Sequence, residues 1–164
     1  MSTTDFAHLS ESGQARMVDV GEKTPTNRTA RAEAYIDLGR QIAEQLRATG
    51  AIAKGNVVDT ARIAGIMAAK QTSSLVPMCH PLLLDHISID AEWEGDLLRI
   101  ESCVRCTGTT GVEMEALTAV SVAALTVYDM CKSAGKGIEI RSVRLLEKTG
   151  GKSGSWQAES GRNN

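Results

Sequence analysis

Aromatic side chains are scarce in this chain of 164 residues, which has two Trp, two Tyr and one Phe. That scarcity disfavours a base-stacking platform for single-stranded nucleic acid, because stacking needs aromatic faces. An excess of positive charge is also missing, since 18 Lys and Arg face 20 Asp and Glu for a net charge of −2. Without a basic field, bulk binding of nucleic acid is not expected.

The first residues lack a basic stretch followed by an apolar one, so no secretory signal is predicted. The four cysteines, Cys79, Cys103, Cys106 and Cys131, are then expected to be reduced thiols in a cytoplasmic protein. Cys103 and Cys106 have CxxC spacing, but residues three apart on a strand face opposite sides. The sequence has no second CxxC pair and no HxxxH, so no zinc site is predicted.

The most informative stretch is GVEMEALTAVSVAALTVYDMCK, from Gly111 to Lys132. Its middle carries no charge from Ala116 to Tyr128, and no polar face recurs at the helical period, which predicts a helix buried on most sides. We expect it to be too short and too rich in Thr and Ser for a membrane span, which needs roughly 20 predominantly apolar residues. A chain of this length has little use for such a helix unless another subunit covers part of it, so we expect an oligomer.

Both ends of that helix carry sequence signals. Thr110 and Glu113 have the spacing of a capping box at the start, and Gly135 is a natural stop. Between them, Ala116, Ala119 and Ala123 form a small-residue stripe on which another element can pack closely.

The remaining segments predict strands and helices in the order strand, helix, helix, strand, strand, helix, strand. They comprise a strand at 31–36, a helix at 38–47, a helix capped by Asn56, strands at 87–93 and 98–104 around a turn at 94–96, the long helix, and a strand at 138–146 with a bulge near Ser142. We expect an α+β fold in which an antiparallel sheet is covered by helices on one face, as in ferredoxin-like proteins. The domain is predicted to span 17–154, between a disordered tail at 1–16 and a flexible tail at 155–164.

Two segments combine candidate catalytic side chains. Pro77 and Pro81 stiffen a loop that presents Cys79 and His80, although a rigid turn with a partly buried histidine is an equally good interpretation. Asp129 and Lys132 share a face at the end of the long helix, where a helix-end ion pair is the simpler reading. A carboxylate on a buried helix can instead have a raised pKa and act as an acid or base.

Other charged residues are more ambiguous. Glu113 and Glu115 are two apart and therefore point to different sides of a helix, so both serve one site only if the helix end meets a loop or a second chain. Lys148 and Lys152 lie in a glycine-rich loop that lacks the first glycine of a P-loop, yet could hold phosphate. Lys54 and Arg28 lie in polar loops and could be plain surface residues.

Taken together, these segments resemble the molybdenum cofactor biosynthesis protein C family, the cyclic pyranopterin monophosphate synthases. The matching segments cover nearly all of 17–154 and include MVDV, TARIAGIMAAK, MCHPL, GVEMEALTAVSVAALTVYDMCK and VRLLEKTGGKSG. Family members more often have Leu where this chain has Met78, which is a conservative change.

The resemblance implies an activity and an assembly. The family converts 3′,8-cyclo-7,8-dihydroguanosine 5′-triphosphate, made from GTP by a radical SAM enzyme, into cyclic pyranopterin monophosphate and pyrophosphate. No cofactor is required, although Mg²⁺ could accompany the triphosphate or the pyrophosphate. Members form homohexamers, trimers of dimers, with active sites at the dimer interface, and no nucleic acid or membrane partner is implied.

The resemblance also implies roles for individual residues. Asp129 is the expected acid or base and Lys132 its partner, with Lys54 and Lys148 completing the catalytic set. The residues expected to bind substrate are Arg28, Met78, Cys79, His80, Glu113, Met114 and Glu115. Two other classes compete with a synthase, namely an oligomeric nucleotide-binding module without catalysis and a thiol- or zinc-based redox protein.

Overall fold

The computed structural model describes residue 14, residues 16–152 and residues 154–159. Most of the tail predicted at 1–16, and residues 160–164, lie outside this part of the chain. The elements are β1 (Thr26–Asp37), α1 (Arg40–Thr49), β2 (Ala51–Ile52), β3 (Gly55–Asn56), α2 (Val57–Lys70), α3 (Thr72–Leu75), β4 (His86–Glu94), β5 (Leu97–Gly108), α4 (Glu113–Cys131), β6 (Glu139–Thr149) and β7 (Trp156–Gln157).

Five of these strands form one antiparallel sheet in the order β4-β5-β1-β6-β7. The predicted turn between β4 and β5 is confirmed, and Gly95 there has a φ of 58°, which glycine adopts without strain. The register of β6 against β1 shifts next to Ser142, which confirms the predicted bulge. Residues 156–157 differ from the predicted flexible tail, because Trp156 pairs with Lys148 as part of β7.

The helices cover one face of the sheet, as the alternation of the strands predicted. On the central strand β1, Ala30, Ala32, Ala34 and Ile36 are fully buried in the core. The small alanines allow α4 to pack close to the middle of the sheet. The result is the expected α+β, ferredoxin-like architecture.

The opposite face of the sheet carries charged side chains. Glu33, on β1, is 1% exposed, and its two carboxylate oxygens accept hydrogen bonds from Arg99 Nε at 2.7 Å and Arg144 Nε at 2.6 Å. These arginines come from the neighbouring strands β5 and β6, so the ion pairs fix the register across three strands. A buried carboxylate is tolerated here because both of its oxygens are paired.

Helix α4 lies between the sheet and α2, as its uncharged sequence indicated. Its small stripe, Ala116, Ala119 and Ala123, is fully buried, and α2 approaches it at Gly65. A Cβ atom at Gly65 would lie 2.8 Å from the carbonyl oxygen of Ala119 and 2.3 Å from Ile89 Cδ1. The remaining side of α4 is open in the single chain, where Leu125 is 57% exposed.

The predicted ends of α4 were wrong in detail. The helix begins at Glu113, and its N-cap residue is Val112, whose apolar side chain cannot form a cap. The carboxylate of Glu113 bonds to Lys148 and does not close a capping box with Thr110. At the other end the helix stops at Cys131, before Gly135, and the amide of Lys132 donates to the carbonyl of Tyr128. The side chain of Glu113 therefore forms a tertiary ion pair and no local cap.

The expectation that this helix is too short for a membrane span was also wrong. Helix α4 has 19 residues and is long and apolar enough to cross a bilayer by length and composition alone. Half of its most apolar window is nevertheless buried within the fold, against the sheet and α2. A core helix of a soluble domain passes the same test, so its composition is weak support for a membrane role.

We predict that Gly65→Ala destabilises the fold, although alanine normally favours a helix. The added methyl group would meet the backbone of α4, which cannot move without displacing its neighbours. We expect a loss of about 1–3 kcal/mol in the free energy of unfolding, measured with chemical denaturant. Ala64→Gly on the same helix is the control and should cost up to about 1 kcal/mol from helix propensity alone. An unchanged or more stable Gly65→Ala variant would contradict the close approach.

Candidate active site

The predicted site residues lie in two clusters at opposite ends of α4. Glu113 opens the helix and Asp129 lies near its end, so they are about 24 Å apart along the axis at 1.5 Å per residue. The first cluster contains Arg28, Met78, Cys79, His80, Glu113, Met114, Glu115 and Lys148. The second contains Lys54, Asp129 and Lys132. A single chain does not bring these two sets together.

The second cluster is a carboxylate between two ammonium groups. Lys132 Nζ lies 2.6 Å from Asp129 Oδ1, and Lys54 Nζ donates to the backbone carbonyl of Asp129 at 3.0 Å. Lys54 comes from the turn between β2 and β3, which lies beside the end of α4. The three side chains are therefore positioned by two separate elements.

The pKa of Asp129 is lowered, first by its hydrogen bond from Lys132 and then by the charges of Lys132 and Lys54. The prediction of a raised pKa was wrong, because the last turn of α4 reaches solvent and the Asp129 side chain is 62% exposed. The same hydrogen bond to Asp129, and then the negative charge of Asp129, raise the pKa of Lys132. At neutral pH Asp129 is therefore an ionised carboxylate, able to accept a proton.

The first cluster is joined by an ion pair from α4 to β6. Lys148 Nζ lies 2.8 Å from Glu113 Oε1, and both side chains are partly buried. Arg28, on β1, donates from Nε to the carbonyl of Gly108 at 3.3 Å. Two cations from adjacent strands thus lie beside the start of the helix.

The turn that follows β6 leaves room for Arg28. Gly150 and Gly151 have φ values of 94° and 76°, which glycine adopts readily. A Cβ at Gly151 would lie 1.7 Å from Arg28 Nη1, and one at Gly150 would lie 2.1 Å from the carbonyl oxygen of Asn27. Both φ values favour glycine, and at Gly150 a side chain would also meet the backbone, so the turn stays narrow enough for the guanidinium of Arg28 to lie against Gly151.

A cavity of about 970 Å³ opens between these elements. Its cations are Lys23, Arg28, Lys148 and Lys152, and its hydroxyl groups come from five threonines. The acidic residues Asp19, Glu22 and Glu113 also line it. Four cations and several hydroxyl donors suit a polyanionic ligand such as a phosphate chain.

A second, less polar cavity of about 390 Å³ adjoins the first. The predicted residues Met78, Cys79, His80, Met114 and Glu115 line it together with Val18, Val20 and Leu82. The two cavities share Lys23, Thr110, Gly111 and Glu113. A ligand with a ring system and a phosphate chain could occupy both.

Glu113 and Glu115 serve the same cavity although they are two apart on the helix. They can do so because the start of α4 meets the loop that carries Cys79 and His80, which was the condition set by the sequence. An interfacial site had suggested that each carboxylate faces a different subunit. One chain already brings both carboxylates to the same cavity, so a second subunit is not needed for this. The structure adds Lys23 to this site, which sequence reasoning missed because a lysine in a polar segment has no periodicity to reveal it.

The carboxyl group of Glu115 has a raised pKa. It is 4% exposed, and burial is the largest cause, followed in that direction by the charge of Glu113. The pKa of the Cys79 thiol is also raised, by burial and then by the charge of Glu115. The Cys79 thiol is therefore neutral and contributes to the lining of the cavity. Glu115 keeps its proton to a higher pH than Asp129 does, because their pKa values are shifted in opposite directions.

Among the described residues, no group of three or more His, Cys, Asp and Glu side chains could hold a metal ion. Cys106 is buried and Cys103 is partly exposed on opposite faces of β5, as their spacing predicted. All four cysteines are free thiols.

We predict that Glu115→Gln flattens the pH dependence of stability. A carboxyl group with a raised folded-state pKa binds its proton more tightly in the folded chain than in the unfolded one. The stability that Glu115 contributes to the folded chain is fully present below the ordinary pKa of 4.5. It is lost as pH rises through the folded-state pKa.

Unfolding in denaturant at a series of pH values from below 4.5 to neutral measures this effect. The wild type should lose stability across that window relative to Glu115→Gln. Glu44→Gln, at an exposed position on α1, is the matched control and should follow the wild type. Parallel curves for the wild type and Glu115→Gln would contradict the raised pKa.

Comparison with known proteins identifies the family of the chain. A sequence model of the MoaC family matches residues 17–151. The chain is 49% identical over 156 residues to the cyclic pyranopterin monophosphate synthase of Peptoclostridium acidaminophilum, covering 95% of this chain and 99% of that protein. It is 51% identical over 160 residues to the protein of the same name from Chloroflexus aggregans, covering 96% of each. The chain belongs to the MoaC family.

Proposed function

We propose that this protein is a cyclic pyranopterin monophosphate synthase of molybdenum cofactor biosynthesis. It would convert 3′,8-cyclo-7,8-dihydroguanosine 5′-triphosphate into cyclic pyranopterin monophosphate and pyrophosphate, as a phosphorus–oxygen lyase. The main support is near 50% identity, along almost the whole chain, to two relatives that bear this name. The cavities add a chemical reason, since their linings suit the two halves of such a substrate.

The larger cavity suits the triphosphate. Arg28 and Lys148 line it with two further lysines, and threonine hydroxyl groups can donate to phosphate oxygens. Attack of a sugar hydroxyl on the α-phosphate expels pyrophosphate, and fixed cations stabilise the charge that develops on the leaving group. If Mg²⁺ accompanies the phosphates, it would take most of its ligands from phosphate oxygens and water, as Mg²⁺ commonly does.

The rearrangement of the ring system needs proton transfers, and two carboxyl groups are prepared for opposite roles. Asp129 is kept ionised by Lys132 and Lys54, so its carboxylate is free to accept a proton, although its lowered pKa makes it a weak base, whereas buried Glu115 has a raised pKa, which suits an acid. A pair of carboxyl groups with pKa values shifted in opposite directions is a common basis for acid–base catalysis. This division differs from the sequence-based expectation, in which Asp129 was the acid or base and Glu115 bound substrate.

We further propose that the complete site forms between subunits. Glu113 and Asp129 are about 24 Å apart on one rigid helix, too far for both ends to serve the same reacting atoms. A second chain that presents its own Asp129 cluster to the two cavities would complete the set. The homohexamer expected from the family resemblance, a trimer of dimers in the cytoplasm, would supply such interfaces.

Exposed apolar side chains support an assembly. On the side of α4 and α2 that the sheet does not cover, Leu125 is 57%, Ile63 59% and Met67 55% exposed. A set of large apolar residues on adjacent helices favours contact with another protein surface. The uncharged sequence of α4 is explained if another subunit covers this side.

We predict that Asp129→Asn abolishes product formation while the fold is retained. The amide is nearly isosteric but accepts no proton, so the rearrangement should slow by at least about 100-fold. The radical SAM enzyme would generate the substrate from GTP, and the pterin product and pyrophosphate would be measured. Asp90→Asn, at an exposed position on β4, is the control and should remain active. Binding without product in a folded wild-type protein would instead indicate the non-catalytic nucleotide-binding module.

A mixing experiment tests the shared site. Asp129→Asn and Lys148→Gln should each be inactive, but refolding them together should restore part of the activity, because some interfaces then contain an intact Asp129 cluster and an intact Lys148. Asp129→Asn mixed with Lys132→Gln is the control and should stay inactive, since both changes affect the same cluster. No recovery in the first mixture would contradict an interfacial site.

A further inference from the structure

The N-terminal segment, residues 16–25, lies against both cavities before β1 begins. Two turns shape it: Asp19 Oδ1 accepts a hydrogen bond from the amide of Gly21 at 2.9 Å, and the amide of Lys23 donates to the carbonyl of Val20 at 3.1 Å. Such turns shorten the segment and hold the Lys23 backbone beside the site. Val18 and Val20 line the smaller cavity, and Asp19 and Glu22 line the larger one.

Lys23 occupies the junction of the two cavities. It is one of the four residues that line both, together with Thr110, Gly111 and Glu113. Of these four, only Lys23 carries a positive charge. Among the described residues it is the cation that lines both cavities, so it lies where a ligand would pass from one into the other.

The ammonium group of Lys23 is available for a ligand. Lys148 is already paired with Glu113, and Arg28 donates to the carbonyl of Gly108. Within residues 16–152 and 154–159, the side chains of Lys23 and Lys152 form no ion pair or hydrogen bond, and both are exposed. An anion can bind Lys23 without first displacing a carboxylate.

The position of Lys23 selects one phosphate of the proposed substrate. The α-phosphate joins the sugar and ring system to the terminal phosphates. With the ring system in the smaller cavity and the terminal phosphates in the larger one, the α-phosphate lies where the cavities meet. Resting on the proposed function, the geometry points to Lys23 as a catalytic residue that binds the α-phosphate, which is the group that reacts.

This assignment gives Lys23 a defined part in the displacement step. The oxygen of the attacking sugar hydroxyl forms a bond to the α-phosphorus, and the bond from that phosphorus to the α–β bridging oxygen breaks. The bond's electron pair leaves with pyrophosphate, and the hydroxyl proton passes to a base of the site. Lys23 keeps its own proton throughout and neutralises the non-bridging oxygens of the α-phosphorus, in the transition state and then in the cyclic product.

Lys23 and Lys152 should therefore differ in which product they bind. Lys152 lines only the larger cavity, where pyrophosphate would form, whereas the α-phosphate stays in the pterin product. Lys23→Gln should lower kcat on the order of 10- to 100-fold and weaken inhibition by the purified pterin product. Lys152→Gln should instead weaken inhibition by inorganic pyrophosphate. Lys23→Arg, which keeps the charge, should recover part of the activity lost in Lys23→Gln.

The experiment compares kcat, KM and both inhibition constants for these variants, with Lys70→Gln as a surface control and thermal unfolding as the check on folding. An active wild type with an unchanged Lys23→Gln variant overturns the assignment and leaves the proposed function intact. A Lys23→Gln variant in which only inhibition by pyrophosphate is weakened also overturns the assignment, because it would place Lys23 at the terminal phosphates. An inactive, folded wild type overturns the proposed function, and the assignment with it.

Discussion

The close approach of α2 to α4 is the constraint on which the rest of the molecule depends. Gly65 and the alanine stripe of α4 bring two helix backbones together, and the alanines of β1 let α4 lie directly on the sheet. Protein interiors are packed densely enough that a helix held on two sides in this way does not shift. Since Glu113 and Asp129 belong to that helix, the positions of both candidate clusters are determined by packing far from either of them.

The charged face of the sheet complements this packing. Glu33 is surrounded by protein, and it is tolerated because Arg99 and Arg144 bind both of its oxygens. These pairs connect the same three strands whose other face supports α4. Pairing of two partly buried arginines with a buried carboxylate also disfavours any slip of one residue, which would place charges on the apolar face. The register set in this way positions Arg28 on β1 and Lys148 on β6 opposite the start of the helix.

Sequence periodicity was sufficient for the fold but not for the electrostatics of the site. The alternation of β4 and β5 and the uncharged run of α4 predicted those elements, because burial on one face or on most sides leaves a direct trace in residue order. The predicted capping box is absent because the helix begins at Glu113 with Val112 as its N-cap, and Glu113 pairs with Lys148, which is distant in sequence. The pKa of Asp129 was misjudged because a buried helix can still end in solvent. Lys23 was missed because cavities are formed by segments that only folding brings together.

At both Glu115 and Asp129, the helix dipole favours a pKa shift opposite to the shift that the carboxyl group has. The positive end of a helix dipole favours an ionised carboxylate near the first turn, yet Glu115 has a raised pKa because burial outweighs the dipole there. The negative end disfavours a carboxylate in the last turn, yet Asp129 has a lowered pKa because Lys132 and Lys54 outweigh it. Local burial and specific cations, and not the helix, therefore set the protonation states. One rigid helix keeps the two groups too far apart to exchange a proton within a chain, so an acid and a base at its two ends would act on one substrate only where two chains meet.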